Sequence, residues 1–90
     1  MSKSEAQWHV YIVQCADNTL YTGCTNNLTK RITKHNAGLG AKYTKVRLPV
    51  LLVYSQAVVS RSAALKREYE IKQLPRAKKL SLIAQQESMI

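Results

Sequence analysis

Apolar and polar positions change their spacing several times along the chain, and each change marks an element. Trp8-His9-Val10-Tyr11-Ile12-Val13-Gln14-Cys15 is rich in aromatic and β-branched residues. After the turn-forming Asp17-Asn18 comes a second short run, Leu20-Tyr21-Thr22-Gly23-Cys24, and the two predict a β-hairpin. Thr25-Asn26-Asn27 offers N-caps for a helix in which Leu28 and Ile32 stand one turn apart, stopping near Asn36-Ala37-Gly38. Gly38 to Arg47 has no clear period and reads as a long basic loop. Pro49-Val50-Leu51-Leu52-Val53-Tyr54 is an unbroken apolar run of strand length, which predicts a strand covered on both faces and placed at the centre of the sheet. Ser60 caps a second helix reaching about Gln73, Leu74-Pro75 interrupts it, and a third helix carries Ala77, Leu80, Ile83 and Ala84 at helical spacing. The order β-β-α-β-α-α predicts an α+β fold, a small three-stranded, mainly antiparallel sheet flanked by three helices.

Composition narrows the picture. Ninety residues, 46% hydrophobic and 21% charged, suit one domain over 1–90 with its core at about 8–84 and frayed tails at 1–7 and 85–90. Fourteen Lys and Arg against five Asp and Glu leave a net charge of +9, so a polyanion is the expected partner. Nucleic acid is favoured, DNA ahead of RNA. A membrane is not, because one Trp, no Phe and no run of ~20 apolar residues supply neither an interfacial anchor nor a span. The opening residues lack an apolar signal segment, and Cys15 and Cys24 fit neither a disulfide framework nor a CxxC pair; a cytoplasmic monomer with reduced thiols is expected.

Two groups of residues carry candidate chemistry. With about 100° per residue and Arg61 at zero, Ala64 falls near 300°, Ile71 near 280° and Glu68 near 340°, inside the apolar stripe. A carboxylate there requires a cation, either a metal ion or Lys72 one turn on, and periodicity leaves both open. Glu70 points to solvent. On the first helix Arg31 and His35 form an i, i+4 pair at the border of the Leu28/Ile32 stripe. Arg is a permanent donor fork for phosphate and His a proton acceptor near neutral pH, as phosphodiester cleavage requires, although an ordinary basic helix face has the same pattern.

Val10-Tyr11-Ile12, followed ten positions later by Tyr21-Thr22-Gly23, resembles the paired motifs of the GIY-YIG nuclease domain. Arg31-Ile32 with His35-Asn36 is similar to the family's helix carrying its Arg and a His or Tyr, and Ala64-Leu65-Lys66-Arg67-Glu68 to the segment ending in its metal-binding Glu. The resemblance spans roughly Trp8 to Leu74; His9 stands where the first motif has Gly, Thr22 where the second has Ile, and no residue matches the Asn that closes the site in many members. It implies a small stand-alone endonuclease that hydrolyses nucleic-acid phosphodiesters in DNA repair or processing, with one Mg²⁺ or Mn²⁺ held by Glu68. Arg31 would stabilise phosphoryl charge, and the proton acceptor would be Tyr11, Tyr21 or His35. The resemblance also sets a condition: Tyr11 and Tyr21 share a sheet face only if the hairpin loop has an odd number of residues or a bulge. Gly23 would then lie on that face and leave room for backbone or phosphate to approach.

Lys30, Lys34, Lys42, Tyr43, Lys45 and Arg47 are the expected nucleic-acid contacts, Tyr43 stacking on an unpaired base. Gly38-Leu39-Gly40-Ala41-Lys42 lacks Walker spacing, and Arg76, Lys78 and Lys79 read as an outer helix face. With no recognition helix to spare, selectivity for nucleic-acid structure is expected over sequence. The competing readings are a non-catalytic DNA- or RNA-binding module of the same fold acting with a partner, and a basic ribosome- or RNA-associated protein.

Overall fold

The structure is a computed structural model and describes residues 7–88; the expected tails at 1–6 and 89–90 lie outside the described residues. Seven elements follow in order: β1 (Trp8–Gln14), β2 (Leu20–Thr25), α1 (Leu28–Asn36), α2 (Lys42–Lys45), β3 (Leu51–Val58), α3 (Arg61–Lys72) and α4 (Arg76–Ser88). The α+β class and the strand and long-helix order are as the patterning predicts. The strands form one antiparallel sheet, β2-β1-β3.

The centre of the sheet is β1 and not β3. Val10, Tyr11, Ile12 and Val13 are all without solvent contact, whereas Leu51 is 67% and Leu52 41% exposed. An apolar run marks cover on both faces, and two segments of this chain carry one; only β1 also has a strand on each side. In β3 a bulge intervenes, since Ile12 faces Tyr54 while the next residue, Val13, faces Leu52. Val53 is the extra residue, and the phase of the strand slips there.

Alternation along β1 divides the molecule into two layers. Val10 and Ile12 pack with Tyr54, Ala64, Ile71 and Ile83 against α3 and α4. Tyr11 and Val13 point the other way, with Cys15, Val50, Tyr21, Leu28 and Ile32 under α1. The hairpin register pairs Gln14 with Leu20 and so encloses five residues, an odd number; Tyr11 opposite Gly23 and Val13 opposite Tyr21 share the α1 face.

Two of the three long helices, α1 and α3, start where the sequence offers a cap: Asn27 Oδ1 accepts from Lys30 N at 3.1 Å, and Ser60 Oγ accepts from Ala63 N at 3.1 Å. After α1 the chain turns at Gly38, whose φ of 79° suits a residue without a Cβ. Two expectations change. The segment read as a loop contains α2, a single turn too short to display a period. Residues 85–88, expected to fray, complete α4, where Gln86 exchanges two hydrogen bonds with the Ser55 backbone at 3.0 and 2.6 Å.

Asn36 joins the end of α1 to the start of β3: its Nδ2 donates to Val50 O at 3.1 Å and its Oδ1 accepts from Val50 N at 2.7 Å. Losing both bonds in Asn36→Ala is expected to lower unfolding free energy by about 1–2 kcal/mol, read as a reduced urea midpoint at unchanged slope.

Candidate active site

The β1–β2 hairpin and α1 bring four of the predicted site residues together. Tyr11 Oη lies 2.8 Å from His35 Nε2, and Arg31 Nε donates to the same oxygen at 3.3 Å. One helical turn separates Arg31 from His35, so a single phenol can meet both. The Tyr21 ring stands edge-on to the imidazole, 5.5 Å between centroids. On the far side, His35 Nδ1 is 2.8 Å from Thr44 Oγ1 of α2, and that hydroxyl donates to Ala41 O at 3.1 Å. Tyr11, His35 and Thr44 have no solvent contact.

Burial decides the protonation of this string. It pushes the Tyr11 phenol above its ordinary pKa, against the lowering influence of the Arg31 guanidinium. Burial, then the positive charge of Arg31, pushes His35 below its ordinary value. Arg31 is held still more firmly protonated by its bond to Tyr11. The resting state is therefore a neutral phenol and a neutral imidazole beside one fixed cation, and the Arg31 guanidinium stands where it would oppose the charge of a phenolate.

Gly23 has a different use from the one expected. A Cβ there would stand 2.5 Å from Tyr11 Oη and 2.7 Å from Cζ, so the missing side chain makes room for the protein's own tyrosine and not for an incoming backbone or phosphate. Gly40 does the same for His35, whose Nδ1 a Cβ would strike. Neither Thr44 nor Gly40 was singled out by the sequence; a threonine nine positions beyond His35, across an aperiodic segment, carries no recognisable spacing.

Glu68 is not part of the string. It lies on α3, where Lys72 Nζ sits 3.1 Å from Oε2 and Cys24 Sγ donates to Oε1 at 3.4 Å. Val10, which faces the α3 layer, pairs with Cys24, so Glu68 approaches the hairpin from the face opposite Tyr11. The Cys24 thiol is pushed up to about 11 by burial and by the Glu68 carboxylate. Of the two cations that sequence allowed for Glu68, the ammonium is present. A single carboxylate, 17% exposed, is also a donor that one hard, largely hydrated ion can use, since Mg²⁺ asks for only a carboxylate or two beside water and phosphate.

The expected nucleic-acid contacts divide. Lys30 and Lys34 are exposed and, with Arg31, Thr25, Asn26 and Asn27, line a cleft of about 170 Å³ beside the string. Lys42 and Lys45 are exposed on α2. The Tyr43 ring, expected to stack on a base, already has two neighbours, the Tyr21 ring at 6.1 Å and the Arg47 guanidinium at 3.9 Å, and is 37% exposed. Arg47 is in turn held by Asp17 at 3.1 Å and donates to Tyr43 O at 2.8 Å. Lys79, expected on an outer face, lines a second cleft of about 240 Å³ with Lys72, Tyr21 and Tyr43.

Because His35 resists protonation in the fold, the unfolded chain takes up a proton first as pH drops through 6.5, and stability should fall from there until the lower native pKa is passed. Melting temperature followed from about pH 7 to about pH 5 should decline in the wild type and decline less in His35→Gln.

Comparison with known proteins identifies the family. The family model described as the GIY-YIG catalytic domain matches residues 7–81. A UPF0213 protein of Staphylococcus haemolyticus is 58% identical over 78 residues, covering 87% of this chain and 95% of that one. One from Natronomonas pharaonis is 54% identical over 79 residues, covering 88% and 93%. Among solved structures, the UPF0213 protein BH0048 of Bacillus halodurans is similar with a TM-score of 0.56 at 45% identity, covering 87% of this chain and 83% of that one. The E. faecalis protein EF2693 has a TM-score of 0.60 at 31% identity, covering 97% and 92%. Motifs, fold and family model agree, and the chain belongs to the GIY-YIG catalytic domain family.

Proposed function

We propose that this protein is a divalent-metal-dependent endonuclease that hydrolyses phosphodiesters, acting as a monomer on DNA of particular structure in its repair or processing. Membership of a nuclease superfamily supports the reaction class. The observation that carries the reading is the junction of Arg31, Tyr11 and His35, a cation, a phenol and an imidazole sharing one buried oxygen.

The chemistry follows from those groups. A scissile phosphate enters the cleft lined by Lys30, Arg31 and Lys34, whose charges bind the backbone without reading bases. Arg31 holds a phosphoryl oxygen and opposes the negative charge that builds there during attack. The attacking water gives one proton to the Tyr11 oxygen as Tyr11 passes its own to His35 Nε2, so a phenol of raised pKa need not ionise alone. Tyr21, partly exposed and against the edge of His35, orients the water and closes the site. Bound at Glu68, a Mg²⁺ or Mn²⁺ would supply Lewis-acid stabilisation of phosphate charge. Cys24, bonded to Glu68, and Gly23, packed on Tyr11, are neighbours in β2 on opposite faces of the sheet, so this reading requires the phosphate to span both faces at that strand.

One observation favours a second reading. Glu68 is satisfied by Lys72, as in a structural ion pair, and a nucleic-acid-binding module that has no chemistry would keep that pair.

Nicking of supercoiled plasmid with Mg²⁺ or Mn²⁺ separates the two. Cleavage should fall by roughly 10²–10³-fold in Arg31→Ala and comparably in Glu68→Gln, while filter binding by Glu68→Gln persists and weakens steeply with salt. Saturable binding with no cleavage under either ion would remove the enzyme and leave the module.

A further inference from the structure

The Thr44 hydroxyl has one proton, and it is spent on the Ala41 carbonyl at 3.1 Å. Toward His35 Nδ1, 2.8 Å away, the same oxygen can offer only a lone pair, so Nδ1 must carry the hydrogen. A neutral imidazole then has its lone pair on Nε2, 2.8 Å from Tyr11 Oη, and the phenol must be the donor there. A lone pair of Tyr11 accepts from Arg31 Nε. Every bond from Arg31 through Tyr11, His35 and Thr44 to Ala41 thus points the same way. With the opposite polarity His35 and Arg31 would both donate to Tyr11, and among the described residues its own buried proton would have no acceptor.

We propose that Thr44 is a positioning residue that locks His35 as the Nδ1–H tautomer, leaving Nε2 open to take the Tyr11 proton. Its meaning for catalysis rests on the nuclease reading; the lock itself does not. Gly40 supports it independently, because a side chain there would strike His35 Nδ1, the nitrogen that Thr44 must reach. The groups facing His35 are Tyr11 from β1, Tyr21 from β2, Arg31 from α1 and Thr44 from α2, and of these only Arg31 carries a fixed charge. That charge and burial keep the ring neutral, the state in which a choice of tautomer exists. Proton transfer consequently runs from the phenol to the imidazole and not the reverse.

Nitrogen-15 and carbon-13 spectra of the imidazoles in the full chain, recorded near pH 8, test the lock, with His9→Gln used to assign the two histidines. His35 should be Nδ1–H in the wild type and in Thr44→Ser, and should gain a resolvable Nε2–H fraction in Thr44→Val. Nε2–H in the wild type, or an unchanged tautomer in a folded Thr44→Val, overturns the proposal. Should Thr44→Val not fold, the wild-type and Thr44→Ser spectra decide. In the nicking assay Thr44→Val should lower kcat by ~10–100-fold with KM unchanged, and Thr44→Ser should restore it. A tautomer switch without any wild-type cleavage upholds the lock and removes the nuclease reading; cleavage at full rate by Thr44→Val with its tautomer retained does the opposite.

Discussion

A phenol and an imidazole with no solvent contact meet at 2.8 Å between the central strand and α1, and much of the α1 layer is arranged around them. Two polar rings taken out of water each cost several kcal/mol unless bonded, so burying one without completing the other's hydrogen bonds would be worse than an apolar core. The outward ends of the pair are therefore closed as well, by the Arg31 guanidinium on the phenol and the Thr44 hydroxyl on the imidazole. Two glycines follow from the same requirement, one leaving room for the Tyr11 hydroxyl and one for the His35 ring edge. Even α2 has a reason to exist. One turn of helix is a poor structure by itself, but it delivers a hydroxyl whose proton has a fixed destination.

Charge is distributed in keeping with that centre. The polar string contains a single cation and no carboxylate, while the acids stand elsewhere: Asp17 on Arg47, Glu70 on Arg67, Glu68 on Lys72. A carboxylate beside His35 would raise its proton affinity and make an imidazolium of it; Arg31 does the reverse. Separation across the sheet keeps the one partly buried acid of the α3 side from altering the neutrality of the other. Exposed Lys30 and Lys34 can then attract a polyanion to the mouth of the site without perturbing its interior.

How much of this was legible in the sequence depended on whether a feature is periodic. The hairpin, the three longer helices and the caps of α1 and α3 follow from alternation, from one-turn spacing and from Asn27 and Ser60, and these are local signals. Tyr11 and Tyr21 share a face because ten positions and an odd loop preserve parity. The exchange of β1 for β3 at the sheet centre was not readable, since two apolar runs look alike until the pairing of their edges is known. The guanidinium over the Tyr43 ring was hidden for another reason: it depends on Asp17 holding Arg47 across thirty residues of chain. Thr44 left no trace, as its partner is chosen by one distance and one proton.

Glu68 shows where inference from spacing reaches its limit and geometry adds direction. Its helical angle predicted a cation, and both a divalent ion and an ammonium satisfy that prediction. The observed ammonium is on a flexible stem, half exposed, and beside a cleft shared with Tyr21, Tyr43 and Lys79. Under the proposed endonuclease reading, a divalent ion held by the Glu68 carboxylate would stand in for that ammonium, and Lys72 has the adjoining cleft to extend into. An ion pair at this carboxylate is in that sense compatible with a metal site, and the string of Arg31, Tyr11, His35 and Thr44 on the other face of the sheet takes no part in it.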